Sequence, residues 1–314
     1  MDASIRKLAA FALATLFLSP EAHALLFRAY VASDGNDANP CTLAAPCRLL
    51  PAALAAVASG GEIWMLESAN YNTATVNINK SVTILAVPGA VGSIVATGGP
   101  AISITTPSIA VSLRNVVIVP LPGTGATDGV MINVASRLTI EDSLIANLPT
   151  ANGINASGAS QVTVIGTTIR DIVGGYALYA RGGATAAISG SRLLSGTGGV
   201  IAHGDVASTT AQVTLTDSFV SQVGAGVFAY ADNATAAAKI SVTRSTIEGS
   251  TYGLYTGTGV AGAATSVTVS GSMVTRNNSG YNIFGTNAFI YTLLNNHIAN
   301  NAGNTGSLTS IPLQ

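Results

Sequence analysis

The sequence predicts an all-β chain wound into a parallel β-helix of about nine coils, with a short N-terminal capping helix. Three observations predict this architecture. Charged residues make up only 9% of the 314 residues, while Thr, Ser, Val, Ile and Gly are abundant, as in strands and tight turns. A segment of the form Val-Thr-Val-x-x-Ser-x-Ile recurs nine times, with successive copies 24 to 29 residues apart. Equivalent positions in these copies carry the same residue types, as stacked coils require.

The overall charge argues against several classes of protein. Lys and Arg number 13 and Asp and Glu number 14, which gives a net charge of -1. A nucleic-acid-binding protein needs a basic surface to neutralise phosphates, so we expect no nucleic-acid partner. Hydrophobic residues at 48% also exclude an intrinsically disordered chain.

Residues 1–24 have the pattern of a secretory signal peptide. Arg6 and Lys7 precede a short apolar run, and the segment ends in an Ala-His-Ala cleavage pattern. The run is too short to cross about 30 Å of hydrocarbon, and an uncleaved anchor helix is the alternative interpretation. We therefore expect a secreted mature chain without a membrane span, located in the extracellular space, in the periplasm or at the cell surface.

Residues 25–81 are predicted to form an N-terminal cap and the entry to the first coil. Cys41 and Cys47 are the only cysteines, and two nearby thiols in an exported chain most simply form a disulfide. Two thiolates without a nearby histidine are too few ligands for a zinc site, and the spacing is not that of a C-x-x-C redox pair. We expect a structural disulfide that contributes roughly 2 kcal/mol.

A short helix is predicted directly after the second cysteine. The residues that indicate it are Leu50, Leu54 and Val57 at helical spacing, Pro51 in the first turn, and Gly60-Gly61 at the end. An amphipathic helix at this point would cover the open edge of the first coil.

Residues 82–314 contain the repeats of the β-helix. Aliphatic and small polar residues alternate, as in a strand with one buried face. The third position of the repeat is aliphatic, at Ile84, Leu113, Ile140, Val164, Ile188, Leu215, Val242, Val269 and Leu293. The sixth position is small and polar, at Ser143, Thr167, Ser191, Ser218, Ser245, Ser272 and Asn296, which suits a bend between strands. A further strand is predicted after Gly175, Gly199, Gly226 and Gly253.

An antiparallel sandwich would also show alternation along each strand, but it would not need the same residue types at equivalent positions of successive repeats, so it is the weaker alternative.

The two ends of the predicted rod differ. Parallel coils bond to the coils above and below, which leaves unpaired edges only at the ends. Residues 295–314 are rich in Asn, Gly, Ser and Thr and show no cap, so this end is expected either to fray or to pair with another subunit.

The N-terminal segment resembles that of a known group of proteins. Ala-Tyr-Val-Ala-Ser-Asp-Gly-Asn-Asp-Ala-Asn-Pro stands at 29–40, Ala-Pro-Cys at 45–47 and Asn-Lys-Ser-Val-Thr-Ile at 79–84. These motifs are similar to those of secreted bacterial right-handed parallel β-helix proteins of the pectate-lyase-like superfamily. The resemblance implies a right-handed β-helix over nearly the whole mature chain. It implies function only loosely, because the group includes polysaccharide lyases and hydrolases, epimerases, phage tailspikes and surface proteins.

Most catalytic motifs of the enzymes in this group are missing from the sequence. There is no Asn-Thr-Asp, Gly-His-Gly, Arg-Ile-Lys, Trp-x-Asp-His or Arg-x-Pro-x-x-Arg segment, and there are no Asp/Gly nonapeptides. Ala-His-Gly-Asp at 202–205 is only a partial match. The resemblance therefore implies no particular reaction, and we expect neither a cofactor nor a metal ion.

Three coils place an unusual group of aromatic and charged residues together. When the coils are aligned on Gly175, Gly199 and Gly226, one column is aromatic or histidine and a second column, two residues on, is charged. Neighbouring strands lie about 4.8 Å apart and residues i and i+2 share a face, so both columns form one outward patch. The patch consists of Tyr179, His203, Tyr230, Arg181, Asp205 and Asp232.

The chemistry of this patch suits a polysaccharide partner. Tyr179 and Tyr230 offer ring faces to sugars, and Arg181 can bind a uronate carboxylate. The structural alternative is an ordinary aromatic ladder beside an exposed ion pair between Arg181 and Asp205, worth under about 1 kcal/mol.

Asp205, Asp232 and His203 are the candidate catalytic residues. Two carboxylates on adjacent coils would lie near the separation of about 5–5.5 Å found in retaining glycosidases, and their repulsion would raise one pKa. His203 is an alternative base. The missing motifs favour an exported, non-catalytic protein that binds glycan or acts as a surface or adhesion element. A polysaccharide lyase or glycosidase acting on an acidic polysaccharide is the alternative.

Other conspicuous residues have structural interpretations. Arg114 and Glu141 occupy adjacent coils, as do Asp217 and Arg244, and both are predicted to be surface ion pairs. The single tryptophan, Trp64, follows the capping helix in an apolar run and is expected in the core.

Overall fold

The computed structural model describes residues 25–312, so the predicted signal peptide lies outside the described residues. Within this range the chain forms one helix, α1 (Leu50–Ala56), and 29 strands. In chain order the strands are β1 (Leu26–Val31), β2 (Val57–Met65), β3 (Ala69–Asn70), β4 (Val76–Ile78), β5 (Val82–Ala86), β6 (Gly92–Ala96), β7 (Ile102–Ile104), β8 (Ala110–Arg114), β9 (Val116–Pro120), β10 (Val130–Ile132), β11 (Arg137–Glu141), β12 (Leu144–Ala146), β13 (Ile154–Ala156), β14 (Gln161–Ile165), β15 (Thr168–Arg181), β16 (Thr185–Ser189), β17 (Arg192–Gly204), β18 (Thr210–Thr216), β19 (Phe219–Ala231), β20 (Ala237–Thr243), β21 (Thr246–Glu248), β22 (Tyr252–Thr258), β23 (Ala264–Ser270), β24 (Met273–Thr275), β25 (Ser279–Phe284), β26 (Ala288–Thr292), β27 (His297–Ala299), β28 (Gly303–Thr305) and β29 (Thr309–Ser310).

The strands form three parallel stacks, one on each face of the coil. The first stack has twelve strands, in the order β1, β2, β5, β8, β11, β14, β16, β18, β20, β23, β26 and β29. The second stack contains β3, β6, β9, β12, the first halves of β15, β17 and β19, and then β21, β24 and β27. The third stack contains β4, β7, β10, β13, the second halves of β15, β17 and β19, and then β22, β25 and β28. The parallel β-helix prediction is confirmed, and the antiparallel alternative is wrong.

The predicted aliphatic columns form the core of the first stack. Ile140 pairs with Leu113 on one side and with Val164 on the other, and all three are fully buried. Burial of each such side chain contributes roughly 1.5–3 kcal/mol before the entropy of folding is subtracted. The core therefore continues from coil to coil without a break.

The last repeat departs from the prediction by one residue. β26 pairs with β23 through Ile290 opposite Val267 and Thr292 opposite Val269, so Leu293 lies outside the core column and is only half-buried. The extra residue is absorbed in the turn that follows, where Leu294 has a left-handed φ of 64°.

A ladder of buried hydroxyl groups follows the first stack. At the sixth repeat position each side-chain oxygen accepts a hydrogen bond from the backbone N–H of the equivalent residue in the preceding coil, as from Ser191 to Ser218 at 3.2 Å. The same hydroxyl donates a hydrogen bond to the carbonyl two residues earlier in its own coil, as from Ser218 to Thr216 at 2.7 Å. The other acceptors in the series are Ser143, Thr167, Ser191, Ser245, Ser272 and Asn296. The small polar residues thus satisfy backbone groups at a buried bend.

The N-terminal cap differs in detail from the prediction. Helix α1 ends at Ala56, and Gly60-Gly61 lies within β2, where Gly61 pairs with Val82 of the next coil. Strand β2 thus occupies the residues for which the sequence predicts the last turn of the helix. The disulfide between Cys41 and Cys47 is confirmed, and the loop that it closes exchanges backbone hydrogen bonds with Tyr30. This loop covers part of the free edge of β1, a role predicted for the helix alone.

Trp64 is not a core residue, contrary to the prediction. It lies on the outer face of β2, because the alternation of the strand buries Ile63 and Met65. The Arg28 guanidinium stands 3.9 Å from its ring centre, and Glu62 accepts hydrogen bonds from both Arg28 and Trp64.

No helix within residues 25–312 has the length and apolar character that a membrane crossing requires.

Candidate functional site

The six residues of the predicted patch lie on or next to the outer surface of the third stack. Leu178, Ala202 and Ala229 are fully buried, so strand alternation turns their neighbours outward. The patch side chains come from the second halves of β15, β17 and β19 and from the turns that follow. They are all at least partly accessible to solvent.

The predicted columns are wrong for the first of the three coils. Arg181 pairs with His203, and Tyr179 pairs with Ile201, a displacement of two residues from the alignment on glycine. The displacement arises at a bulge, where β15 has three residues, Val173 to Gly175, opposite one residue of β17. For the next pair of coils the alignment holds, since His203 pairs with Tyr230.

The patch is part of a larger set of stacked rings, which we call the aromatic surface. His203 has its ring centre 5.9 Å from that of Tyr179 and 5.3 Å from that of Tyr230. Phe228 stacks on Tyr255 at 4.3 Å with nearly parallel planes. The aromatic surface consists of Tyr176, Tyr179, His203, Phe228, Tyr230, Tyr252, Tyr255 and Phe284.

The aromatic surface extends along the axis of the β-helix. Its members come from five consecutive coils, through β15, β17, β19, β22 and β25. At about 4.8 Å per coil this gives a continuous strip roughly 19 Å long. The strip therefore runs across the strands rather than along them.

Two glycines make room for the rings at the ends of the strip. Gly198 pairs with Tyr176, and a methyl group at Gly198 would overlap the Tyr176 ring. Gly257 lies between Tyr230 and Phe284 in one column, and a methyl group there would overlap the Phe284 ring. Each ring therefore lies flat over a position without a side chain.

A chain of hydrogen bonds stands at the N-terminal end of the strip. The Tyr179 hydroxyl lies 2.6 Å from Nδ1 of His203, and Nε2 of His203 lies 3.1 Å from a carboxylate oxygen of Asp232. An ionised carboxylate can only accept, so Nε2 donates to Asp232, and in the neutral imidazole Nδ1 then accepts the hydrogen bond from Tyr179. The order Tyr179–His203–Asp232 holds the imidazole in one orientation.

Asp205 has a different set of partners. One carboxylate oxygen forms an ion pair with Arg181, and the other accepts the backbone N–H of Gly182 at 3.2 Å. Its side chain is only 11% exposed, against 43% for Asp232. The two aspartates thus have different partners, Arg181 and Gly182 for Asp205 and His203 for Asp232.

Burial favours the neutral form of three phenols of the aromatic surface, those of Tyr176, Tyr179 and Tyr255. Burial raises the pKa of Tyr176 to about 12, and the nearby Tyr179 and Tyr255 add to the shift. Burial is also the main cause that raises the pKa values of Tyr179 and Tyr255, and for Tyr179 it outweighs the opposing charge of Arg181. At neutral pH these hydroxyls therefore both donate and accept hydrogen bonds.

The described residues do not gather metal ligands. Within residues 25–312 no three His, Cys, Asp or Glu side chains come close enough together to hold a metal ion.

The other predicted ion pairs are present on the first stack. Arg114 lies 2.7 Å from Glu141, and Arg244 makes two hydrogen bonds of 2.8 Å to Asp217. These bonds lower the pKa of Asp217. Both pairs are largely exposed, so each contributes little to stability.

Five members of the aromatic surface were missed by the sequence analysis. They are Tyr176, Phe228, Tyr252, Tyr255 and Phe284. The signal for two of them was present, because extending the glycine alignment to Gly253 and Gly280 places Phe284 in the column of Tyr230 and Tyr255 in the column of Phe228. Tyr176 could not be placed, since the bulge displaces its coil.

Comparison with known families identifies the fold. Residues 100–263 match the family model described as "Right handed beta helix region". The match covers more than half of the chain, and the chain belongs to this family. No protein of curated function matches the sequence.

Several solved structures share the fold at low sequence identity. A structure of XylC in complex with xylose has a TM-score of 0.60 at 9% identity, over 82% of this chain and 68% of its own. An alginate lyase from Paenibacillus sp. has a TM-score of 0.53 at 11% identity, over 83% of this chain and 99% of its own. The pectate lyase Pel9A has a TM-score of 0.50 at 16% identity, over 93% of this chain and 78% of its own. These similarities confirm the right-handed parallel β-helix that the N-terminal motif implied.

Proposed function

We propose that this right-handed β-helix protein binds a glycan on the aromatic surface. The observation that carries the proposal is the unbroken contact of eight rings over five coils of the β-helix. All eight rings are partly exposed, and a contiguous apolar strip on the surface of a protein marks a place where a ligand can cover it. The apolar face of a sugar ring packs on an aromatic ring, while its hydroxyl groups need polar partners at the edge.

The polar groups for those hydroxyls stand beside the rings. Asp232 accepts hydrogen bonds, and the phenols of Tyr179 and Tyr230 both accept and donate them. Because the rings follow one another from coil to coil, an extended glycan chain would lie along the axis of the β-helix and contact successive rings. Arg181 and His203 border its N-terminal end.

The binding proposal is tested with two paired double variants. Phe228→Ala/Tyr230→Ala removes the centre of the aromatic surface, where the rings are 5.4 Å apart. Phe289→Ala/Tyr291→Ala removes a similar stacked pair, 5.7 Å apart, from the outer face of the first stack. On a broad array of glycans and by calorimetry, we expect the first variant to lose at least about tenfold in affinity, or about 1.4 kcal/mol, and the control to bind normally.

Two results would contradict glycan binding. The first is an array on which the unmodified protein captures no glycan. The second is an equal loss of affinity in both double variants, since that loss would come from general damage and not from the aromatic surface.

We infer that the protein works outside the cytoplasm, as a secreted, surface or adhesion element. The disulfide between Cys41 and Cys47 supports this location, because disulfides persist in oxidising compartments. Fractionation of cells that express the full chain, with mass spectrometry of its N-terminus, tests the inference. We expect an exported product cleaved after Ala24, and an intact cytoplasmic chain with free thiols would contradict it.

A polysaccharide lyase or glycosidase is the second candidate, favoured by the Tyr179–His203–Asp232 chain. In that arrangement the Tyr179 oxygen can exchange a proton with substrate while His203 takes or returns one, with Asp232 fixing the imidazole. Asp205 would support Arg181 rather than react. Asp232→Asn and Tyr179→Phe should then abolish product formation, while the remaining ring contacts keep glycan binding measurable though weaker. A panel of bound glycans that yields no products rejects this candidate.

A further inference from the structure

We infer that the glycan of the aromatic surface is neutral rather than acidic, an inference that rests on the proposed function. The sequence predicts that Arg181 binds a uronate carboxylate. In the structure its guanidinium is already paired with Asp205, whose second oxygen is occupied by the N–H of Gly182. A ligand carboxylate would have to compete with a protein carboxylate held in place by two partners.

The remaining charge at this end of the strip repels an acidic ligand. Asp232 is 43% exposed and lies next to His203, which it holds by the hydrogen bond to Nε2. Arg181 is paired with Asp205, so the exposed carboxylate of Asp232 is left without a guanidinium partner at this end of the strip. A polyuronate would meet this charge at the point where the polar contacts are made.

The rest of the strip offers no cation for an acidic ligand. Strands β19, β22 and β25 contain no Lys, Arg, Asp or Glu residue, and neither do the turns that follow β22 and β25. A polyuronate bears a carboxylate on every sugar, so several of its charges would lie over uncharged rings. Removing a carboxylate from water without a paired cation is costly, whereas a sugar hydroxyl needs only an uncharged donor or acceptor.

Uncharged partners are present along the same strip. Asn155 and Asn282 stand in the column of Tyr179 and Tyr255, one on each side, and both are partly exposed. A neutral glycan also lacks the uronate carboxylate that makes β-elimination possible. Of the two enzymatic alternatives, only glycoside hydrolysis is compatible with such a ligand.

The test uses a matched pair of ligands, an oligogalacturonate and the same oligosaccharide with its carboxylates reduced to alcohols, together with neutral glucan, xylan, mannan and galactan oligosaccharides. We expect one or more neutral ligands to bind, with an affinity that does not change with NaCl concentration and is lost in Phe228→Ala/Tyr230→Ala. The oligogalacturonate should bind at least about tenfold more weakly than its reduced form.

Binding of the oligogalacturonate as tightly as its reduced form would overturn the inference. The same holds if its affinity falls with added NaCl and disappears in Arg181→Gln, and in both cases glycan binding itself would stand. If no ligand of either kind binds, both the proposed function and this inference fall.

Discussion

The hydroxyl ladder allows one stability prediction to be worked out from the structure. Ser218 is buried, and its Oγ accepts the backbone N–H of Ser191 at 3.2 Å. In Ser218→Ala this N–H loses its partner in a place that water does not reach. The carbonyl of Thr216 loses the Ser218 hydroxyl but keeps the N–H of Gly190 at 3.2 Å. The cost is therefore that of one unpaired buried donor, about 1–3 kcal/mol.

Two control variants isolate this cost. Ser218→Thr should be about as stable as the unmodified protein. Thr167 occupies the equivalent position of the ladder in an earlier coil and makes the same two hydrogen bonds. Ser241→Ala removes an exposed hydroxyl from the outer face of β20 and should change the stability by less than about 0.5 kcal/mol.

Urea unfolding and native-state amide hydrogen exchange provide the two measurements. Unfolding gives the change in global stability, and exchange at Ser191 reports the one amide that loses its acceptor. We expect both to show the loss in Ser218→Ala and neither in the controls. If Ser218→Ala lies within about 0.5 kcal/mol of the unmodified protein and Ser191 stays protected, the ladder does not stabilise the bend as argued.

Three further predictions concern the site and the cap. Gly257→Ala should displace the Phe284 ring and weaken glycan binding by about 1 kcal/mol, roughly fivefold by calorimetry, without lowering the melting temperature. In alkali the folded Tyr176 phenol, with its pKa raised to about 12, ionises later than the unfolded phenol, whose pKa is the ordinary one of about 10, so stability should fall between these pH values. Tyr176→Phe should reduce that fall in thermal melts, and an unchanged pH profile would contradict the assignment. Replacing Cys41 and Cys47 with serine should cost about 2 kcal/mol in denaturant unfolding, and no change would show that the loop needs no covalent closure.

The first stack could be predicted almost completely from the sequence. Alternation along each strand is a local property of the chain, and the columns at Ile140 and Ser218 repeat because every coil packs on a nearly identical one. Among the repeated aliphatic columns, the prediction failed where the repeat itself changed, at Leu293. There a single extra residue moved from the strand into the following turn.

The candidate site could be predicted in part. The sequence placed His203, Tyr230 and Asp232 on one outward face, and the structure brings them together through ring contact and a hydrogen bond. It did not separate the roles of Asp205 and Asp232, because the difference lies in which donors surround each carboxylate. Those donors belong to Arg181 and Gly182 in another coil.

The sequence by itself determined the coil, its parallel stacking and the residue types of each column, since these follow from local alternation and a repeated length. The tertiary structure alone decided the register of β15 in the third stack. A bulge in β15 absorbs two residues at a corner, where the backbone can leave the ladder at small cost, so chain spacing no longer reports which side chains are neighbours. For that reason Arg181 pairs with His203, and Tyr176 joins the aromatic surface by lying over Gly198, a contact that no local pattern contains.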